Sequence, residues 1–220
     1  MISILCATRG RPEAYKRMCQ SALDLADGEI EFVSYHDDDD TTEYDYIGSH
    51  KEIVGPRIML SQTWNECQKA ASGPFYMYLC DDFVFKTRGW DTQIKEAFDK
   101  YKDKIVLVYC DDGIQGKRMG TVGVLHKNWV DVVGYLFPPY FSGNYPDKWV
   151  TDVARRVGRK VYLPVVVEHM HYRVGKGEID KTMREKMDRD KRDDNRKIYK
   201  DKENEREQDA IKLRRFIHDF

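Results

Sequence analysis

The most informative residues are two adjacent carboxylates, Asp81 and Asp82. They sit inside Phe75–Phe85 (FYMYLCDDFVF), with apolar residues on both sides. Like charges at the end of a buried strand are unfavourable unless something positive joins them. A divalent cation shared with a diphosphate meets that need, because Mg2+ and Mn2+ take carboxylate oxygens together with phosphate oxygens and water. The alternative is a solvated turn that carries two acids.

Other clusters are weaker alone. The run Asp37–Asp40 also follows an apolar segment. It is either a solvated loop or a place where a carboxylate accepts from a nucleoside base or ribose. Thr8, Arg9 and Arg11 precede a helix start, where positive charge opposes the helix dipole. That conflict favours a ligand for at least one arginine, since a guanidinium matches phosphate oxygens geometrically. In Glu168-His169-Met170-His171, alternation puts both histidines on one side of an extended chain, as metal ligands or as structural residues. Lys176 lies between two glycines and could reach a phosphate. Asp147 opens a helix after the Gly/Pro/aromatic loop 139–146. It is either a general base or a favourable charge at a helix N-terminus.

The elements that must position these residues alternate along the chain. Apolar runs predict strands at Ile2–Ala7, Ile30–Tyr35, Phe75–Leu79, Ile105–Cys110, Thr121–Leu125 and Val161–Val167. Helical spacing links Tyr15, Met18, Ala22 and Leu25, then Leu60, Trp64, Cys67 and Ala71, then Trp90, Ile94, Ala97 and Tyr101, then Val150, Val153 and Val157. Strand–helix alternation predicts an α/β fold, a mainly parallel sheet with helices on both faces. Ligands of such sheets bind beyond the carboxyl ends of the strands, where the polar clusters fall.

Composition narrows the classes. The 37 Lys and Arg nearly cancel the 38 Asp and Glu, which argues against a strongly basic nucleic-acid or membrane-surface protein. Residues 176–220 hold 15 of those basic and 13 of those acidic side chains. This stretch reads as a charged helical extension (178–220) after a domain at 1–177. It is either solvated through i,i+4 pairs or partly disordered, and Phe216, Ile217 and Phe220 could dock its end. Five cysteines without a CxxC suggest reduced, buried thiols and a cytoplasmic protein. No apolar stretch is long enough for a membrane span, and the N-terminus reads as a first strand rather than a secretion signal.

Taken in order, these motifs resemble those of GT-A fold glycosyltransferases, nearest to the family-2-like group and to small bacteriophage members. Ile2–Pro12 resembles the first strand and nucleotide-binding turn. Asp37 or Asp38 falls where the family holds the nucleoside. Gly55-Pro56-Arg57 resembles the approach to the metal motif, and Leu79–Asp82 stands in the place of Asp-x-Asp. Asp147 with Arg155 and Gly158 resembles the segment that carries the base of inverting members. His169 matches a late metal-binding histidine, and His171, Lys176, Asp180 and Thr182 resemble the trailing segment of the phage members. Two departures stand out. Cys80 replaces the first acid of the metal motif, leaving Asp81 to substitute, and Pro146 precedes Asp147 where the family has an acid. Asp111 and Asp112 are the rival bases.

The resemblance implies sugar transfer, with inversion, from a nucleotide-sugar donor, a UDP-sugar first, to an acceptor hydroxyl. Asp81, Asp82 and His169 would hold Mn2+ or Mg2+. Thr8, Arg9, Arg11, Asp37, Asp38, Arg57, Asp81 and Lys176 would bind the donor, and Asp147 would be the base. The phage members point to DNA carrying hydroxylated or hydroxymethylated pyrimidines as acceptor, with a glycan or protein as the alternative. A sugar-nucleotide pyrophosphorylase, a metal-dependent phosphoesterase or nuclease and a non-catalytic interaction protein are the competing classes.

Overall fold

Strand β1 (Ile2–Ala7) lies inside an eight-stranded sheet, between β2 (Ile30–Asp37) and β4 (Phe75–Cys80), and is parallel to both. The computed structural model describes residues 1–220. Beyond β2, the edge strand β3 (Ser49–Gly55) continues the parallel set. On the other side come β7 (Gly123–His126), β6 (Leu107–Asp111), β8 (Lys160–His169) and β5 (Phe83–Phe85). Strands β7 and β5 run antiparallel to their neighbours, and β6 and β8 are parallel to each other. The mainly parallel α/β architecture expected from the sequence is therefore present.

Side-chain alternation divides the core between two faces. Ile2, Ile4 and Cys6 of β1 join Phe32, Met77, Trp90 and Phe98 under α1 (Pro12–Leu25) and α3 (Trp90–Asp99). Leu5 points the other way, with Val33, Tyr78 and Trp64, under α2 (Leu60–Ala70), α4 (Lys127–Val133) and α5 (Pro146–Arg156). Proline at the first turn of both α1 and α5 suits a position whose N–H has no helical partner. All five cysteines are free, and no helix is long and apolar enough to cross a membrane.

Three elements were not read from the sequence. Strand β3 (SHKEIVG) is polar and half exposed because it covers only one edge of β2. Strand β5 has three residues and is separated from β4 only by the turn Asp81-Asp82. Helix α4 has seven residues, too few to show a full apolar period. Strand β8 also continues to His169, two residues beyond the expected end.

The charged C-terminal stretch is helical and packs against the rest of the chain. It forms α6 (Lys181–Asp193), α7 (Asn195–Asp201) and α8 (Glu203–Asp219). Helix α8 packs on α4 and α5, and buries Ala210 and Leu213 in the second core. Phe216 and Ile217 pack against that core, whereas Phe220 remains 67% exposed. Polar contacts complete the docking. Asp209 accepts from Trp149 Nε1 at 3.0 Å and from the Tyr135 hydroxyl at 2.6 Å. Arg206 is fully buried, pairs with Asp152 at 3.2 Å and lies 3.8 Å above the Tyr199 ring. The low apolar content understated this docking because the bonds that hold it are ionic and aromatic.

Candidate active site

The in-register pairing of β1 with β4 sets the first contact of the site. Ala7 faces Cys80 across the ladder, so the residues that follow, Thr8 and Asp81, leave the sheet together. The Thr8 hydroxyl donates to Asp81 at 2.8 Å, and Arg11 Nη1 donates to the other carboxylate oxygen at 3.1 Å. Burial and the neighbouring Asp82 push the Asp81 carboxyl up, and Arg11 and Thr8 only partly offset this. Asp81 is thereby committed to the first loop.

Asp82 faces the opposite way. Pairing of Phe83 with His169 in the β5–β8 ladder brings Asp82 beside that histidine, with Oδ2 and Nε2 3.2 Å apart. The Phe83 ring stacks on the imidazole at 4.2 Å and fixes its plane. Burial raises the Asp82 carboxyl, but the bond to His169 and the surrounding positive charge hold it below the usual range. Its Oδ1 is buried without a hydrogen-bond partner.

That orphaned oxygen fits a cation. No three His, Cys, Asp or Glu side chains are grouped to hold a metal ion unaided. Asp82 and His169 supply two donors, and phosphate oxygens and water would have to complete the shell, as is usual for Mg2+ and Mn2+. Coordination through Nε2 would require that nitrogen to be free of its proton.

Asp147 comes from a different element and lines the same cleft. It occupies the first turn of α5, directly after Pro146, and its Oδ1 accepts from Lys148 N–H at 2.8 Å. Burial pushes its carboxyl up; the Lys148 N–H and Lys186 pull it down, and Asp112 adds to the rise. A carboxylate raised in this way is a stronger base near neutral pH. Tyr145, just before this turn, holds φ at +90°, an uncommon and strained value for a bulky residue.

One cleft of about 240 Å3 gathers Thr8, Arg9, Arg11, Asp37, Arg57, Asp81, Asp82, Asp147 and His169. Arg9 donates to Asp37 at 3.1 Å, and Arg57 lies 3.5 Å from the same carboxylate. Two expected residues are elsewhere. Asp38 is exposed and outside the cleft, and Lys176 pairs at 2.5 Å with Glu168 on the outer surface. The rival bases have local duties. Asp111 bonds the Tyr162 hydroxyl and the Gly113 N–H. Asp112 Oδ1 accepts three successive backbone N–H groups, from Ile114, Gln115 and Gly116.

Of the roof, the sequence reading names only Asp180 and Thr182; Met183, Lys186 and Arg189 escape it. Thr182, Met183, Lys186 and Arg189 of α6 line the cleft. Their spacing, i, i+1, i+4 and i+7, defines one face of a helix. A search for apolar residues alone passes over it. Helix α6 spans the opening between two anchors. Asp180, its N-cap, forms a bidentate pair with Arg11, and the Thr182 hydroxyl donates to Arg9 O at 2.8 Å. At the far side, Lys186 and Asp190 bond Asn144 at 2.8 Å each. Gly143 permits this approach, since a Cβ there would strike the Asp190 carboxylate. The volume is below the ~300–1,000 Å3 of typical small-molecule sites, and four α6 side chains are among those that bound it.

No family model and no curated protein matches the sequence. Solved structures match its fold. The mannosyltransferase PcManGT from Pyrobaculum calidifontis, in complex with GDP-Man and Mn2+, superposes with a TM-score of 0.60 at 12% identity, over 76% of this chain and 56% of that one. TarS of S. aureus gives 0.59 at 11% identity, over 76% of this chain and 36% of that one. Its 1–349 segment in complex with UDP-GlcNAc gives 0.57 at 14%, over 76% and 58%. The chain spans only 36% to 58% of the length of these three structures. At such identities the likeness establishes the fold, which is the GT-A fold.

Proposed function

We propose that this chain is a glycosyltransferase that moves a sugar from a nucleotide-sugar donor to an acceptor hydroxyl. The observation that carries the reading is the convergence of Arg9, Arg11, Asp37, Asp82, His169 and Asp147 on one cleft beyond the carboxyl ends of β1, β2, β4 and β8. Ligands of open parallel sheets bind there. The neighbouring structures, solved with GDP-Man and Mn2+ or with UDP-GlcNAc, support a nucleotide-sugar donor.

In this reading Asp37 receives the nucleoside, and Arg9, Arg11 and Arg57 neutralise the diphosphate. Asp82 and His169 hold Mn2+ or Mg2+, which when bound supplies Lewis-acid stabilisation of the departing diphosphate. Asp147 takes the proton of the acceptor hydroxyl. The new bond joins that oxygen to the anomeric carbon, and the bond that breaks joins the same carbon to the phosphate oxygen. The electron pair leaves with the nucleoside diphosphate toward the arginines. Displacement from the Asp147 side inverts the anomeric centre.

Resemblance to the small phage enzymes supports a hydroxylated or hydroxymethylated pyrimidine of DNA as acceptor. Transfer to hydroxymethylated but not to unmodified DNA tests that assignment, and transfer only to a glycan or protein replaces it. The donor test is a thermal-stabilisation panel of UDP-, GDP- and other nucleotide sugars with Mn2+, followed by an assay for slow donor hydrolysis. Stabilisation by one nucleotide sugar is expected. No response across the panel would overturn the reading.

A further inference from the structure

Five buried side-chain polar atoms in the chain have no hydrogen-bond partner: His36 Nδ1, Asp82 Oδ1, Asp112 Oδ2, Thr121 Oγ1 and Arg189 Nε. Asp82, Thr121 and Arg189 line the cleft. A buried donor left unmade costs on the order of 1–3 kcal/mol, more when it is charged. Such atoms gathered in a cavity therefore point to a bound group. Asp82 has been given one. Arg189 has not.

Arg189 projects from α6 beneath the cleft roof. Burial weighs most heavily against its charge, and the nearby Arg57 comes next; Asp37, Asp190 and Glu185 act in its favour. Two guanidinium groups facing one space repel unless an anion lies between them. Arg57 reaches two carboxylates, Asp37 at 3.5 Å and Glu185 Oε2 at 2.7 Å, and Arg9 shares both, at 3.1 and 3.7 Å, whereas Arg189 pairs with neither. Glu185 belongs to α6 as well. The helix thus brings Lys186 and Arg189 into the cleft, the first held by Asn144 and Asp190, and lends the Glu185 carboxylate to the arginines already there.

We infer that Arg189 is a ligand-binding residue: with Arg57 it clamps the diphosphate of the donor, which displaces the Glu185 carboxylate from Arg57. The inference rests on the nucleotide-sugar reading for the identity of the ligand. The diphosphate is favoured over a phosphate on the acceptor because Arg57 already shares Asp37 and Glu185 with Arg9, at the nucleoside end of the cleft. The guanidinium fork suits this role, since it offers parallel N–H groups to two phosphate oxygens.

The experiment is equilibrium binding of inorganic pyrophosphate, UDP, GDP and uridine to the full chain and to Arg189→Gln, Arg189→Lys and Glu185→Gln. Pyrophosphate and nucleoside diphosphate affinity is expected to fall about ten- to a hundred-fold in Arg189→Gln. The fall should be smaller in Arg189→Lys, and uridine binding and the ligand-free melting temperature should hold. Glu185→Gln should bind both diphosphates more tightly. Unchanged diphosphate affinity in both Arg189 variants overturns the inference even if sugar transfer is observed. Arg189-dependent pyrophosphate binding without response to any nucleotide sugar leaves it standing while the glycosyltransferase reading falls. A loss of melting temperature with full diphosphate affinity assigns Arg189 to structure alone.

Discussion

Arg11 and Asp180, 169 positions apart, meet in a bidentate pair, with Nε–Oδ2 at 2.7 Å and Nη2–Oδ1 at 2.8 Å. The same Asp180 carboxylate caps α6 by accepting from the Met183 N–H at 2.8 Å. One side chain therefore both starts the roof helix and ties it to the first loop of the sheet. Asp180→Ala removes all three hydrogen bonds and should destabilise α6 by about 1–3 kcal/mol. Hydrogen exchange is expected to rise in α6 and to stay slow in α8. Equal acceleration in both helices would show that the roof has no independent hinge.

Asp147→Asn keeps the shape of the side chain and removes the base. Turnover should fall about 100- to 10,000-fold with donor affinity unchanged. The assay is single-turnover transfer beside nucleotide binding. Turnover near the wild-type rate would remove Asp147 from the mechanism.

Asp82→Ala removes the carboxylate whose Oδ1 is orphaned. Mn2+-dependent strengthening of nucleoside diphosphate binding should vanish, while metal-free binding through the arginines should remain. His169→Ala should weaken the Mn2+ effect in the same direction, because it supplies only the second donor atom. A calorimetric titration with and without Mn2+ reads both. An undiminished Mn2+ effect in Asp82→Ala would place the cation elsewhere.

His36 and His50 share the Ser34 hydroxyl, at 2.7 and 2.9 Å, and Tyr46 stacks on His50 at 3.9 Å. Burial, and then the charge of His36, push His50 down to about 4 from its ordinary 6.5. Burial also lowers His36. The folded state thus binds fewer protons than the unfolded chain at mildly acid pH. Stability supplied by the neutral rings is whole above 6.5 and is lost as pH falls toward 4. After discounting for partial exposure of His50, the loss should be on the order of 1–2 kcal/mol. Urea melts at pH 7 and pH 4.5 should show a smaller difference for His50→Gln than for the wild type.

The parts of the site legible in the sequence are those on regular elements of the parallel sheet. Thr8, Asp37 and Asp81 each follow a strand whose apolar run is plain, and β-sheet geometry sends the ends of parallel strands to one edge. The Asp82–His169 contact depends on the three-residue β5, too short to show a period, so the motif could be read but not its geometry. Adjacency groups Asp81 with Asp82 in the sequence, yet the backbone turn sends one to Arg11 and the other to His169. Most of the roof was hidden for a different reason. Arg11–Asp180 and Arg57–Glu185 are long-range ion pairs, and charge pairing between distant segments has no periodic trace in the sequence.

Helix α8 grips Trp149 and Asp152 of α5, the helix whose first turn carries Asp147. The last helix in the chain thus supports the wall that bears the proposed base. A substitution in α8 that breaks this grip, such as Asp209→Ala, would therefore act on Asp147 from outside the cleft, with the first loop and its arginines untouched.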